Sequence, residues 1–161
     1  MTAYKGNNRR IKDALITILS GISYDTGAGP EPAFVNVLDN TKDEFEGYPS
    51  VRVLPNNIIS TTITNVEKDH VVSFAVIMHF PLNSPYEVES TVYNRMYDLT
   101  DLIIDTTEHA DYVGQLTKND PLIQNWMMNV TSVRWHIANG KSGSLLLCNM
   151  NIDISYSKDV Y

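Results

Sequence analysis

The chain has 161 residues, of which 43% are hydrophobic, and its formal net charge is -7. This length supports one core, so we expect residues 1–161 to form a single domain. The acidic balance argues against a general nucleic-acid-binding protein, because neutralising phosphates needs a face rich in lysine or arginine. With one cysteine, no secretion signal and no membrane-length apolar run, we expect a soluble protein made in a reducing compartment.

The first predicted element is an amphipathic helix that Asn7 or Asn8 caps. Its apolar residues recur at the helical spacing and form one stripe: Ile11, Ala14, Leu15, Ile18, Leu19 and Ile22. Gly21 should end this helix, and the glycine-rich residues 25–30 predict a flexible connection.

Three strands are predicted between residues 34 and 66. A short apolar strand at 34–38 precedes a loop at 39–47 that is rich in acidic residues. The second strand, 50–55, lies between prolines that should end its ladder. Residues 57–66 are rich in threonine and low in charge, which is typical of an edge strand or of one that a partner completes.

A longer strand is predicted at 70–80, because its residues alternate in polarity. One face should enter the core: Val72, Phe74, Val76, Met78 and Phe80. The other face is apolar enough to be covered or to form a contact surface: Val71, Ser73, Ala75, Ile77 and His79.

The clearest helix is predicted at 84–107, and the other elements should pack beneath it. Ser84, Pro85 and Glu87 form a capping box with proline at the first helical position. Its apolar stripe follows at three- to four-residue spacing: Val88, Val92, Met96, Leu99 and Ile103. A short helix is then predicted from Asn119 to about Met127.

The C-terminal region predicts a β-hairpin that turns at residues 139–143. In its first strand, alternate residues face one side: Thr131, Val133, Trp135 and Ile137. In its second strand the inward residues are Leu146, Cys148, Met150, Ile152, Ile154 and Tyr156. The chain therefore predicts an α+β fold, an antiparallel or mixed sheet with an N-terminal and a long central helix packed on one face and a C-terminal β-hairpin.

No catalytic, cofactor or metal site is predicted. The four histidines show no pair at the spacing that places two ligands on one helical face. Cys148 falls among inward residues and is expected to be a buried hydrophobe. The carboxylates Asp98, Asp101 and Asp105 lie away from the apolar stripe of the long helix, so a solvated helix face is the better interpretation.

The order of elements resembles the tail terminator, or tail completion, proteins of long-tailed bacteriophages. The resemblance rests on an amphipathic first helix, the segment Tyr48-Pro49-Ser50-Val51-Arg52-Val53, a strand at 71–78, a long helix opened by Ser84-Pro85-Tyr86-Glu87, and a final hairpin. It covers nearly the whole chain.

This resemblance implies a structural virion protein and not an enzyme. Such a protein would form a homo-oligomeric ring, typically a hexamer, that caps the tail tube, ends its polymerisation and joins it to the neck and head-completion proteins. The implied location is the virion tail or neck, after assembly in the host cytoplasm. DNA would only pass through the lumen, and neither a membrane nor a cofactor is implied.

The ring hypothesis makes particular residues candidates for two surfaces. A lateral contact by sheet extension would use Ile59, Thr61, Ile63, Val71, Ala75 and Ile77. A loop lining the lumen or an axial face would present Asp39, Asp43, Glu44 and Glu46. The first helix could instead cover the second face of strand 70–80 within one subunit, and the loop could be a solvated connection.

Other roles remain open at this stage. A neck adaptor or stopper, or a tail-tube subunit, would share related α+β folds. An enzyme or small-molecule-binding domain would need a site under the long helix near its aromatic residues, which packing explains more simply: Tyr93, Tyr97, Trp126 and Trp135.

Overall fold

A computed structural model describes residues 6–62, 67–82, 90–108, 127–140 and 143–159. The described part contains two helices, α1 (Asn7–Ser20) and α2 (Ser90–Glu108). Its strands are β1 (Ser23–Asp25), β2 (Pro30–Pro32), β3 (Val37–Leu38), β4 (Ser50–Thr62), β5 (Glu67–Leu82), β6 (Met127–Gly140) and β7 (Gly143–Asp159).

The main sheet has the strand order β3-β4-β5-β7-β6. Strands β4 and β5 form one antiparallel pair, β6 and β7 form another, and β5 joins the two pairs by lying antiparallel to β7. The short β3 runs parallel to β4. A separate two-stranded sheet, β1-β2, follows α1. This mixed α+β architecture confirms the predicted fold class.

The core lies between the helices and one face of the main sheet. Residues that pair across neighbouring strands point to the same face, so Val53, Val76 and Met150 are aligned and buried together. Helix α2 lies against β6 and β5, and α1 lies against β3. The predicted inward sets of β5 and β7 are buried, which confirms both alternations. We call this side of the sheet the helix side and the other the open face.

Helix α1 buries the predicted stripe. Its end is also confirmed, because the Gly21 amide donates to the carbonyl oxygens of Ile18 at 3.1 Å and Thr17 at 3.2 Å. The predicted cap is wrong: the N-cap is Gly6, with no side-chain hydrogen bond. Asn8 has another contact, since its Oδ1 accepts a hydrogen bond of 3.0 Å from the Tyr156 hydroxyl.

The connection after α1 is a small hairpin and not a featureless flexible segment. The Asp25 carboxylate accepts hydrogen bonds from the amides of Gly27 at 2.7 Å and Gly29 at 3.1 Å. Both glycines have positive φ, which suits a turn that few other residues could adopt. The strand predicted at 34–38 is reduced to Val37–Leu38, although Phe34 is buried in the core.

Pro55 does not end its strand, contrary to the sequence prediction. Strand β4 continues to Thr62, and its register with β5 shifts between Pro55 and Asn57. This bulge leaves Asn56 without a partner on β5. It allows the ladder to accommodate Pro55, which has no amide hydrogen to donate. A second bulge in β6 excludes Thr131 from the predicted alternation.

Helix α2 buries Met96, Leu99 and Ile103 as predicted, and half buries Val92. The capping box at 84–87, with Val88, lies outside the described residues, as does most of the predicted short helix. Met127, the expected end of that short helix, instead begins β6. Neither described helix combines the length and hydropathy that crossing a membrane requires.

Candidate subunit interface

The predicted interface residues of β5 lie on the open face, in the middle of the sheet. Val71, Ala75 and Ile77 are half-buried there. Strand β5 is hydrogen-bonded to β4 on one side and to β7 on the other. Sheet extension through β5 is therefore ruled out, because both of its edges are already paired. These three residues could meet a partner only through their side chains on the open face.

Over residues 57–62, which the structure describes, the outer edge of β4 is the edge strand predicted for residues 57–66. In the described part of the chain, β3 pairs only with Val51 and Arg52, so the rest of this edge has no strand beside it. Two apolar side chains are exposed here on opposite faces, Ile58 at 55% and Ile59 at 53%. Thr61 pairs through its backbone with Asp69 on β5. The Thr61 side chain and the whole of Ile63 lie outside the described residues.

Strand β6 forms the other end of the sheet, and its only partner among the described strands is β7. Trp135 stands on the helix side opposite Cys148, yet 49% of its surface is exposed. Its ring meets the ring of Tyr97 from α2 edge-on, with centroids 6.4 Å apart. We call Trp135 and Tyr97 the aromatic pair. The sequence predicts core and rim packing for four aromatic residues, and three can be placed: Tyr93 packs partly buried against the core, while Tyr97 and Trp135 lie at its rim. Trp126 lies outside the described residues.

A groove of about 580 Å³ opens at the opposite end of the sheet, between the start of α1 and the bulged part of β4. Pro55 and Ile58 contribute exposed apolar surface to it, while Arg9 and the almost fully buried Val72 and Phe74 also line it. We call this the α1–β4 groove. Sequence reasoning missed it, because the groove is formed by segments more than forty residues apart that only the fold brings together.

The acidic loop, residues 39–47, is held against the protein and not free in solvent. The Arg52 guanidinium donates to the carbonyl oxygens of Asn40 at 2.5 Å and Asp43 at 2.9 Å. It also lies over the Phe45 ring, 4.3 Å from the centroid. At the start of the loop, Lys12 donates a hydrogen bond of 2.7 Å to Asp39. That hydrogen bond lowers the pKa of the Asp39 carboxyl and raises the pKa of Lys12.

Phe45 packs against the open face of the sheet. Its ring lies edge-on to the His79 ring, with the two centroids 4.8 Å apart. Burial, with a smaller contribution from the nearby Arg52 charge, lowers the pKa of His79. The carboxylates of Glu44 and Glu46 remain exposed. A polar outer surface on an anchored loop suits a lumen or an axial face, but that placement stays a prediction.

The remaining candidates for chemistry have structural roles. Cys148 is fully buried, and its sulfur lies 3.9 Å from the Thr100 hydroxyl. Asp98, Asp101 and Asp105 are exposed as predicted, and Asp98 accepts a hydrogen bond of 2.8 Å from Tyr24. Within the residues that the structure describes, no three histidine, cysteine or carboxylate groups are placed to hold a metal ion.

Comparison with protein-family models gives no match to this chain. Comparison with curated protein sequences gives no match either.

Proposed function

We propose that this protein is a ring-forming tail terminator of a long-tailed bacteriophage. In this role it would cap the tail tube, end tube polymerisation and present a second axial surface to the neck and head-completion proteins. The proposal follows from the order of helices and strands along the chain and includes a location in the tail or neck of the virion.

The observation that carries the proposal is that, among the strands that the structure describes, the two ends of one sheet have different unpaired edges. The β4 edge presents Ile58 on the helix side of the sheet, whereas the β6 edge presents Trp135 and other apolar residues. When unlike surfaces pair, the contact is head-to-tail, and repeating it gives a closed ring or an open filament. A symmetric dimer would need one surface that complements itself.

The charge of the chain fits a channel through which DNA passes without binding. The net charge is -7, and the anchored acidic loop keeps Glu44 and Glu46 exposed. If this loop faces the lumen, like charges would keep the phosphate backbone from adhering to the wall.

Two measurements test the proposal. The first is the mass of the purified protein in solution, by light scattering across a range of concentration and salt. The second is the length of tail tubes that grow in its presence. A terminator is expected to form a discrete ring of about six subunits, alone or on tube ends, and to stop tube growth. A protein that remains a monomer, does not bind tube ends and does not stop tube growth would contradict the proposal.

A tail-tube subunit is the second candidate, because the same two edges would also support an open filament. The two candidates differ in one result. A tube subunit should polymerise into filaments whose length increases with concentration, whereas a terminator should stop at one ring.

A further inference from the structure

We propose that subunits of this protein join by docking the aromatic pair of one copy, Trp135 and Tyr97, into the α1–β4 groove of the next copy. The occupant of the groove is therefore a second copy of this chain. This inference rests on the proposed ring and deepens it, since it names the residues that close the head-to-tail contact.

The two surfaces lie on the same side of the sheet. Ile58 is opposite Val72 on β5, and Val72 is buried in the core, so Ile58 points to the helix side. Trp135 is opposite Cys148, which is also buried in the core. When the β6 edge of one copy continues the sheet beyond the β4 edge of another, their helix sides become one surface. Across one copy, Ile58 is level with Met128, and Trp135 is level with Val51. Trp135 therefore lies beside Ile58 of the neighbour when the two copies are displaced by six paired positions, about 20 Å, along the strands. This displacement also takes nearly all of β6 past the part of β4 that β3 occupies.

The groove offers what an aromatic side chain needs. Its volume of about 580 Å³ exceeds that of one indole ring. Pro55 and Ile58 supply exposed apolar surface, beside the almost fully buried Val72 and Phe74. About half of the Trp135 surface is exposed in a single copy. Tryptophan and tyrosine in a pocket commonly provide most of the affinity of an interface, because they bury a large area and lose little side-chain conformational entropy.

The net charges beside the two surfaces are opposite. The groove is lined by Arg9, Lys12 and Asp39, and Lys12 is paired with Asp39, which leaves the exposed Arg9 as the unbalanced charge. Asp101 is exposed on α2, four residues after Tyr97 and therefore on the neighbouring turn. Docking would bring the guanidinium toward this carboxylate and toward the face of the indole ring, and both contacts are favourable. This local attraction acts against the repulsion between copies that each carry a net charge of -7.

A small ligand would explain the groove but would leave the aromatic pair exposed at the other end of the sheet. A second copy covers both surfaces with one repeated contact. Exposed apolar patches that occur together with opposite charges are typical of protein interfaces.

The first test compares Ile58→Asp with Ile59→Asp in the full-length protein. These neighbouring residues are almost equally exposed, but Ile59 points to the open face, so it is a matched control. We expect Ile58→Asp and Trp135→Ala to raise the concentration for half-assembly about tenfold or more, and Ile59→Asp about threefold or less. Equal effects of the two aspartates would overturn the docking.

The second test reverses the charges. Arg9→Asp and Asp101→Arg should each weaken assembly, and the double variant should recover most of the wild-type assembly because the attraction is restored with opposite polarity. A misfolded variant could not give this recovery. A double variant that assembles no better than the weaker single variant would overturn the docking.

Two measurements, the assembly of the variants into rings and the growth of tail tubes, separate this inference from the proposed function. If the variants form rings at the wild-type concentration and still stop tube growth, the docking is overturned and the terminator role stands. Rings that respond as expected but do not stop tubes would leave the docking and overturn that role. A wild-type monomer under all conditions, with or without tubes, or a small molecule retained by the monomer in native mass spectrometry, would overturn the docking.

Discussion

The Asn56 side chain on β4 donates a hydrogen bond of 2.7 Å to the Asn151 side chain on β7, across the whole width of β5. The strand between them carries Ala75 opposite Asn151, and this small residue leaves the path open. From the other side, Asn151 donates at 2.6 Å to Thr131 on β6. Asn56 and Thr131 are the two bulged residues, so both irregularities in the sheet serve one polar network on the open face.

We predict that Asn151→Ala lowers the free energy of unfolding by about 1–2 kcal/mol, because the amide joins three strands and also donates to Asp153 at 2.9 Å. Urea unfolding measures this change. Asn149→Ala is the control, since Asn149 is exposed on the same strand and its replacement should change stability by about 0.5 kcal/mol or less. Equal losses in both variants would contradict a network centred on Asn151.

A second prediction concerns the anchor of the acidic loop. Arg52→Ala removes two hydrogen bonds to loop carbonyls and the contact with Phe45, so it should destabilise the closed loop by about 1–3 kcal/mol. Hydrogen exchange of residues 39–47 should become faster while exchange in β7 changes little. Arg134→Ala, which removes an exposed arginine from β6, should leave loop exchange unchanged. Unaltered loop exchange in Arg52→Ala would show that other contacts hold the loop.

The third prediction is a dependence of stability on pH that originates at His79. Burial lowers its pKa in the folded state below the ordinary value, so the unfolded chain binds more protons between the two values. The stability present above the ordinary pKa of about 6.5 is therefore lost as pH falls through the folded value. Urea unfolding at several pH values should show a smaller loss in His79→Asn.

His136→Asn is the control for this experiment, because His136 is exposed on the same face of the sheet. It should retain the wild-type dependence on pH. Identical slopes in the wild type and in both variants would rule out His79 as the source.

The fourth prediction concerns the thiol of Cys148. Burial raises its pKa, and none of its surface is accessible in the folded state. An aromatic disulfide reagent should therefore modify it at least about a hundredfold more slowly in the native protein than in guanidinium chloride. Ser20→Cys introduces an exposed thiol at the end of α1 and should react rapidly in the same sample. Rapid modification of native Cys148 would contradict its position in the core.

The amino-acid sequence by itself determined the elements and their buried faces. The alternation through β5 and the stripe of α1 are local patterns, and each has the period of the structure that it forms. Burial of apolar side chains then requires those faces to meet, so the α+β fold could be predicted without knowing the strand order. The acidic loop could be recognised from its composition, but its attachment to Arg52 could not.

Tertiary structure decided where each element lies. Whether β5 is central or at an edge depends on pairing with β7, about eighty residues away, which no local pattern encodes. The same is true of the bulge at Pro55, since proline ends a ladder unless the partner strand tolerates a shift in register. Trp135 alternates like a core residue and is exposed only because its strand is at the end of the sheet. The groove beside Arg9 and Ile58 likewise exists only where α1 meets β4.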